Sequence, residues 1–142
     1  MIKLSKLSDY AIVVLSRLAA GRGEVVTTSV LSEETGIPEP TVSKVLKLLS
    51  KQKIVDSVRG ANGGYVMQRC PTDITVAELI VALEGPIALT ACVGDHDHSD
   101  CMIDRLCPLK SGWQKVNTVV KQALDSVALA DLLIPVRIGR GR

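Results

Sequence analysis

The sequence predicts a mainly α-helical chain with a small β-hairpin wing: a winged helix-turn-helix followed by a long dimerisation helix. Three observations predict it. Two helical patterns are parted by the break Gly36-Ile37-Pro38, the punctuation of a helix-turn-helix. Two short strand-like runs flank the turn Arg59-Gly60-Ala61-Asn62-Gly63-Gly64, the pattern of a hairpin. Finally, Leu106, Leu109, Trp113, Val116, Val120, Ala123 and Val127 recur in steps of three and four, the seam of a helix that packs along another helix.

Taken in order, Leu7, Ala11, Val14, Leu15 and Leu18 lie on one face of a first helix, with Ser5 as its cap and Gly21 as its stop. Thr27 or Thr28 caps a short second helix running to Glu34. A third opens with Pro40 in its first turn, where a missing N–H costs no hydrogen bond. On this third helix Val42, Val45, Leu46 and Leu49 form the buried side, and Lys44, Lys47 and Lys51 the opposite one. Ile54 to Val58 and Tyr65 to Gln68 read as the strands of the wing. Thr75-Val76-Ala77-Glu78 is a capping box for a fourth helix that ends near Gly85-Pro86. The expected organisation is a winged helix-turn-helix at 1–85, a ligand-binding loop at 86–107, the dimerisation helix and a C-terminal helix at 108–134, and a disordered tail at 135–142.

With 142 residues, 46% of them hydrophobic, the chain can bury one modest core. No run approaches the roughly eighteen apolar residues of a membrane span. The N-terminus alternates polar and apolar residues where a signal peptide has an apolar block. A cytoplasmic protein with no membrane partner is the expectation. There is no Gly-rich cofactor loop and no pair of catalytic carboxylates, so neither an enzyme nor a small-molecule substrate is expected.

The formal charge of +2 hides an uneven distribution. Between Pro38 and Arg69, six cations (Lys44, Lys47, Lys51, Lys53, Arg59 and Arg69) face only Glu39 and Asp56, which suits phosphates. A recognition helix needs short polar and cationic side chains at base edges and phosphates, and Thr41, Ser43, Lys44 and Lys47 supply them. Arg59 sits at a Gly-rich tip, where it can reach a minor groove. Lysines at helical spacing alone would make an ordinary solvated face. Their position after the helix-turn-helix break and beside a basic hairpin favours double-stranded DNA as the partner.

Three of the four cysteines, Cys92, Cys101 and Cys107, fall within sixteen residues at C-x8-C-x5-C spacing, among Asp95, Asp97, Asp100 and Asp104. Buried structural cysteines are seldom confined to so polar a loop. Soft thiolates suit an iron–sulfur cluster or zinc, and His96 or His98 could complete a zinc site. Spacing alone does not choose between them. Cys70, beside Pro71, reads as a small packed residue.

The opening L-S-K-L-S-D-Y-A, the turn G-I-P-E-P-T-V-S-K, the wing V-R-G-A-N-G-G-Y and the run A-L-E-G-P-I-A-L-T-A-C resemble the iron–sulfur-sensing winged-helix regulators that include IscR and NsrR. The resemblance spans roughly residues 1 to 133 and is greatest to regulators of the Suf iron–sulfur assembly operon. It implies a homodimeric repressor on a partly palindromic operator, controlled by an iron–sulfur cluster (4Fe–4S favoured over 2Fe–2S) and governing cluster-assembly genes. It also implies three cysteine ligands and a variable fourth. Where some members carry a histidine three residues after the third cysteine, this chain has Lys110. Asp9 matches the aspartate that NsrR-type members present across the dimer, although a carboxylate there also favours the helix dipole without any metal. The resemblance makes His96 and His98 solvated loop residues. Leu109, Trp113, Val116 and Val120 are the expected dimer interface. The alternatives are a zinc-stabilised winged-helix DNA-binding protein and, from another class, an iron–sulfur electron carrier.

Overall fold

The structure, a computed structural model, describes residues 3–89 and 108–135. Its elements in chain order are α1 (Lys6–Ala20), α2 (Thr28–Thr35), α3 (Glu39–Lys51), β1 (Asp56–Val58), β2 (Gly64–Val66), a 3-10 turn (Pro71–Asp73), α4 (Val76–Glu84), α5 (Lys110–Asp125) and a second 3-10 turn (Leu129–Asp131). The fold is thus mainly helical with one two-stranded antiparallel sheet.

The helix-turn-helix forms where the sequence places its stops. Thr27 caps α2 by accepting a hydrogen bond from the Val30 N–H. Gly36 ends the helix at φ +75°, a conformation glycine adopts without steric cost. Ser32 then donates to the Ile37 carbonyl at 2.6 Å, and Ile37 is buried. Pro40 occupies the first turn of α3, as expected. Val42, Val45, Leu46 and Leu49 are wholly buried and turn α3 onto α1, α2 and α4.

Among the described residues, one charged residue is buried here. Arg17 is only 3% exposed, yet it lies on the apolar side of α1. Its guanidinium donates to Glu34 on α2 and to Glu24 in the connecting turn. Hydrogen bonding to Glu34 raises the Arg17 pKa further, against the opposing effect of burial. A buried cation persists only when so paired, so this trio fixes α2 against α1.

The strands are shorter than the runs that predict them, because Ile54, Val55 and Met67 are drawn into the core. Asp56 pairs with Val66, Ser57 with Tyr65 and Val58 with Gly64. The hairpin is also tied to the rest of the domain: Val26 and Tyr65 exchange backbone hydrogen bonds of 2.9 and 2.8 Å.

The α1 N-terminus departs from expectation. Ser5 is its cap residue, but its side chain makes no capping bond. Instead the Glu84 carboxylate, at the end of α4, accepts from the Ser5 N–H at 2.8 Å and the Ser8 hydroxyl at 3.2 Å. Hydrogen bonds from Ser5 and then Ser8 hold the Glu84 pKa below the usual carboxylate range.

The capping box of α4 forms as predicted, with Thr75 and Glu78 as its two members. After α5 the chain returns to the domain it started from. The Val76 N–H bonds the Val127 carbonyl and the Leu129 N–H bonds the Ile74 carbonyl. Leu129 is fully buried, and the Ile134 N–H reaches the Ser16 hydroxyl. Beyond α5 the described chain therefore forms a 3-10 turn packed on the winged-helix core, where a C-terminal helix was expected. The expected tail at 135–142 lies outside the described residues apart from Pro135.

The approach of β2 to Val26 gives a direct test. A methyl group on Gly64 would stand 2.5 Å from the Val26 carbonyl oxygen, well inside contact distance. Gly64→Ala should therefore lower stability by about 1–3 kcal/mol, read as a lower urea midpoint, while unchanged stability would show that the wing does not rest on this strand contact.

Candidate nucleic-acid interface and metal-binding segment

The α3 side chains turned away from the core form one surface. Pro40, Ser43, Lys44, Lys47 and Leu48 line a single open depression, with Lys44 and Lys47 exposed and Ser43 half-buried. Neither lysine makes a hydrogen bond or ion pair with any described residue. Thr41, expected on the same face, is half-buried. Arg59 is exposed at the start of the wing's turn, likewise without a described partner. Two elements thus present unpaired cations, and both rest on the core that Arg17 and Val26 help to fix.

Cys92, Cys101, Cys107, His96 and His98 lie outside the described residues. Their flanks are described, and both are held on α5. Leu109, two residues after Cys107, is the cap residue at its N-terminus. On the other side, Asn117 donates to the Ile87 carbonyl and accepts from the Leu89 N–H, each at 3.1 Å. Asn117 is 3% exposed, and sequence reading missed it. The available signal was a polar residue within an otherwise apolar helical stripe. Three thiols in a segment so anchored are a donor set that fits an iron–sulfur cluster or zinc.

Asp9 is exposed in the first turn of α1 and has no hydrogen-bond or ion-pair partner among the described residues. It neighbours Ser8, which Glu84 holds. No group of three or more His, Cys, Asp or Glu side chains able to hold a metal occurs among the described residues. Cys70, expected to be packed, is exposed, with its sulfur 3.0 Å from the Thr72 hydroxyl. The turn that starts at Pro71 carries it outward.

The expected interface stripe is bare in the single chain. Leu109 is 62% exposed, Trp113 42% and Val116 45%. Val120 is half-buried. Val119, not anticipated, is 56% exposed. The helix packs on α4 through a neighbouring face that includes Asn117, leaving this apolar row uncovered. No described helix is long and apolar enough to cross a membrane.

Comparison with known proteins agrees with this architecture. A family model described as Rrf2, iron-dependent transcriptional regulator, matches residues 4–135. The transcriptional regulator NsrR of Bacillus subtilis is 30% identical over 132 residues, which are 92% of this chain and 90% of that protein. CymR of the same organism is 29% identical over 131 residues, 92% and 88% of the two chains. Among solved structures, IscR of T. potens has 33% identity and a TM-score of 0.60, covering 92% of this chain and 85% of that one. The B. subtilis CymR structure, described as the global cysteine regulator, has 28% identity and a TM-score of 0.64, covering 93% and 96%. The chain therefore belongs to the Rrf2 family of helix-turn-helix transcriptional regulators, DNA-binding proteins and not enzymes.

Proposed function

We propose that this chain is a homodimeric cytoplasmic repressor whose affinity for its operator is set by an iron–sulfur cluster. In this reading Cys92, Cys101 and Cys107 are ligands and Asp9 of the partner subunit is the fourth, with iron–sulfur assembly genes as the target. The observation that carries the proposal is the confinement of three thiols to one segment whose two flanks are fixed on α5. The likeness to IscR and NsrR supports a cluster there.

The chain's own residues supply a route from that segment to DNA. Arg17 and the apolar faces hold α1, α2 and α3 as a unit, so displacement of α1 carries the recognition surface with it. Glu84, at the end of the helix that leads into the cysteine segment, binds the first turn of α1 beside Asp9. A bound cluster would supply a metal link between the thiolates and a carboxylate. Its loss would release α1 from the cysteine segment of the other subunit and alter the spacing of the two half-site readers. The exposed Leu109, Trp113, Val116 and Val119, with the half-buried Val120 beside them, support a second copy of the chain as the partner of α5. Apolar side chains at this spacing seldom stay in water together.

A second reading, regulation without a cluster, is favoured by the likeness to CymR. Absorbance of anaerobically purified protein separates the two. The wild type should be brown with visible-region absorbance that Cys101→Ala abolishes, whereas a colourless or zinc-loaded wild type would contradict the cluster.

On the DNA side, Lys44→Ala and Lys47→Ala should weaken operator binding and lower the slope of log affinity against log salt by about one unit for each lost phosphate contact. Binding unchanged in both affinity and slope would return them to an ordinary surface.

Trp113→Asp should yield monomers in sedimentation at concentrations where the wild type is dimeric. A wild type that stays monomeric at micromolar concentration would refute the interface.

A further inference from the structure

Asn117 is one of four buried polar or charged residues among the described ones. It lies with the half-buried Val120 and Leu124 on the inward side of α5, where an aliphatic residue would bury more apolar surface. A buried amide is tolerated only when its donor and acceptor are both used. Here both are used on backbone: Nδ2 donates to the Ile87 carbonyl and Oδ1 accepts from the Leu89 N–H, at 3.1 Å each. A leucine at this position would leave both backbone groups unpaired.

The stretch so clamped leaves α4 and reaches Cys92 three residues beyond Leu89. The chain that emerges after Cys107 caps the same helix at Leu109. The two anchor points lie eight residues apart on α5, or about 12 Å at 1.5 Å per residue. One rigid helix therefore fixes where the cysteine segment starts and where it ends. Fixing the ends of a ligand-bearing loop reduces the conformational freedom lost when its ligands converge.

We infer that Asn117 is a positioning residue for the cluster: its amide, bonded to both Ile87 and Leu89, holds the entry of the cysteine segment on the helix that begins at its exit. The inference rests on the cluster reading above. It adds that cluster retention depends on a residue that is itself no ligand, located on the helix whose apolar row faces outward for a second copy.

The test is the decay of visible absorbance in reconstituted, anaerobic protein after addition of an iron chelator. It compares wild type, Asn117→Ala, Asn117→Asp and Leu124→Ala, alongside thermal melts of the cluster-free forms. Leu124 is half-buried on the same helix and controls for general loosening. Asn117→Ala should shorten the cluster lifetime by about tenfold. Asn117→Asp, which keeps an acceptor for the Leu89 N–H but turns a carboxylate oxygen toward the Ile87 carbonyl in a buried site, should shorten it at least as much. Leu124→Ala should stay within about twofold of wild type even where its melting temperature falls as far. If Asn117→Ala does not fold, Asn117→Asp against Leu124→Ala decides. Wild-type lifetimes in the Asn117 variants, or equal shortening in Leu124→Ala, would overturn the inference alone. A wild type that takes up no cluster would overturn the reading beneath it as well.

Discussion

The apolar packing of α4 is the interaction on which the rest of the molecule depends. Val76, Ala77, Leu79, Ile80, Ala82 and Leu83 are all buried, and the helix contacts α1, α3 and α5. A helix apolar on so many sides has no solvated resting place, so it must be enclosed. Enclosing it brings α1, α3 and α5 against one short element. Thr75 and Glu78 start it, and Gly85 ends it before the chain turns toward the cysteine segment.

Around that helix, three polar attachments set relative positions that apolar contact alone would leave loose. Arg17 joins α1 to α2, Glu84 joins α4 to the first turn of α1, and Asn117 joins α5 to the chain leaving α4. Hydrogen bonds are directional where hydrophobic burial is not. Each attachment therefore fixes a register between elements already driven together. The chain's return through Val127 and Leu129 to Ile74 and Val76 secures the far end of α5 in the same way. Both attachments tie α5 to the core that carries α3.

Much of this was legible in the sequence, because it is written in short-range patterns. The helix-turn-helix break, the hairpin, the α4 capping box and the three-four stripe of α5 depend on residues a few positions apart. The attachments are different in kind. Ser5 and Glu84 are 79 residues apart and Asn117 and Ile87 are 30 apart, so no local period reports them. Ser5 looks like a self-sufficient cap, and only the tertiary fold reveals that a distant carboxylate does that work. Arg17 is hidden by the habit of reading charge as exposure. Leu129 is hidden because it enters the core from a 3-10 turn with no periodicity. Of the residues read as facing DNA, Lys44, Lys47 and Arg59 stand exposed and Thr41 and Ser43 half-buried.

In the proposed regulator, the state of the cysteine segment governs how the α3 helices of a dimer meet DNA. The most direct measurement is operator affinity of the same dimer before and after its cluster is stripped by chelation, at one fixed salt concentration without oxygen. A cluster-governed repressor should show a change of tenfold or more, on the order of 1.4 kcal/mol of coupling, that is absent for a non-specific fragment. Equal operator affinity in the two forms would contradict it.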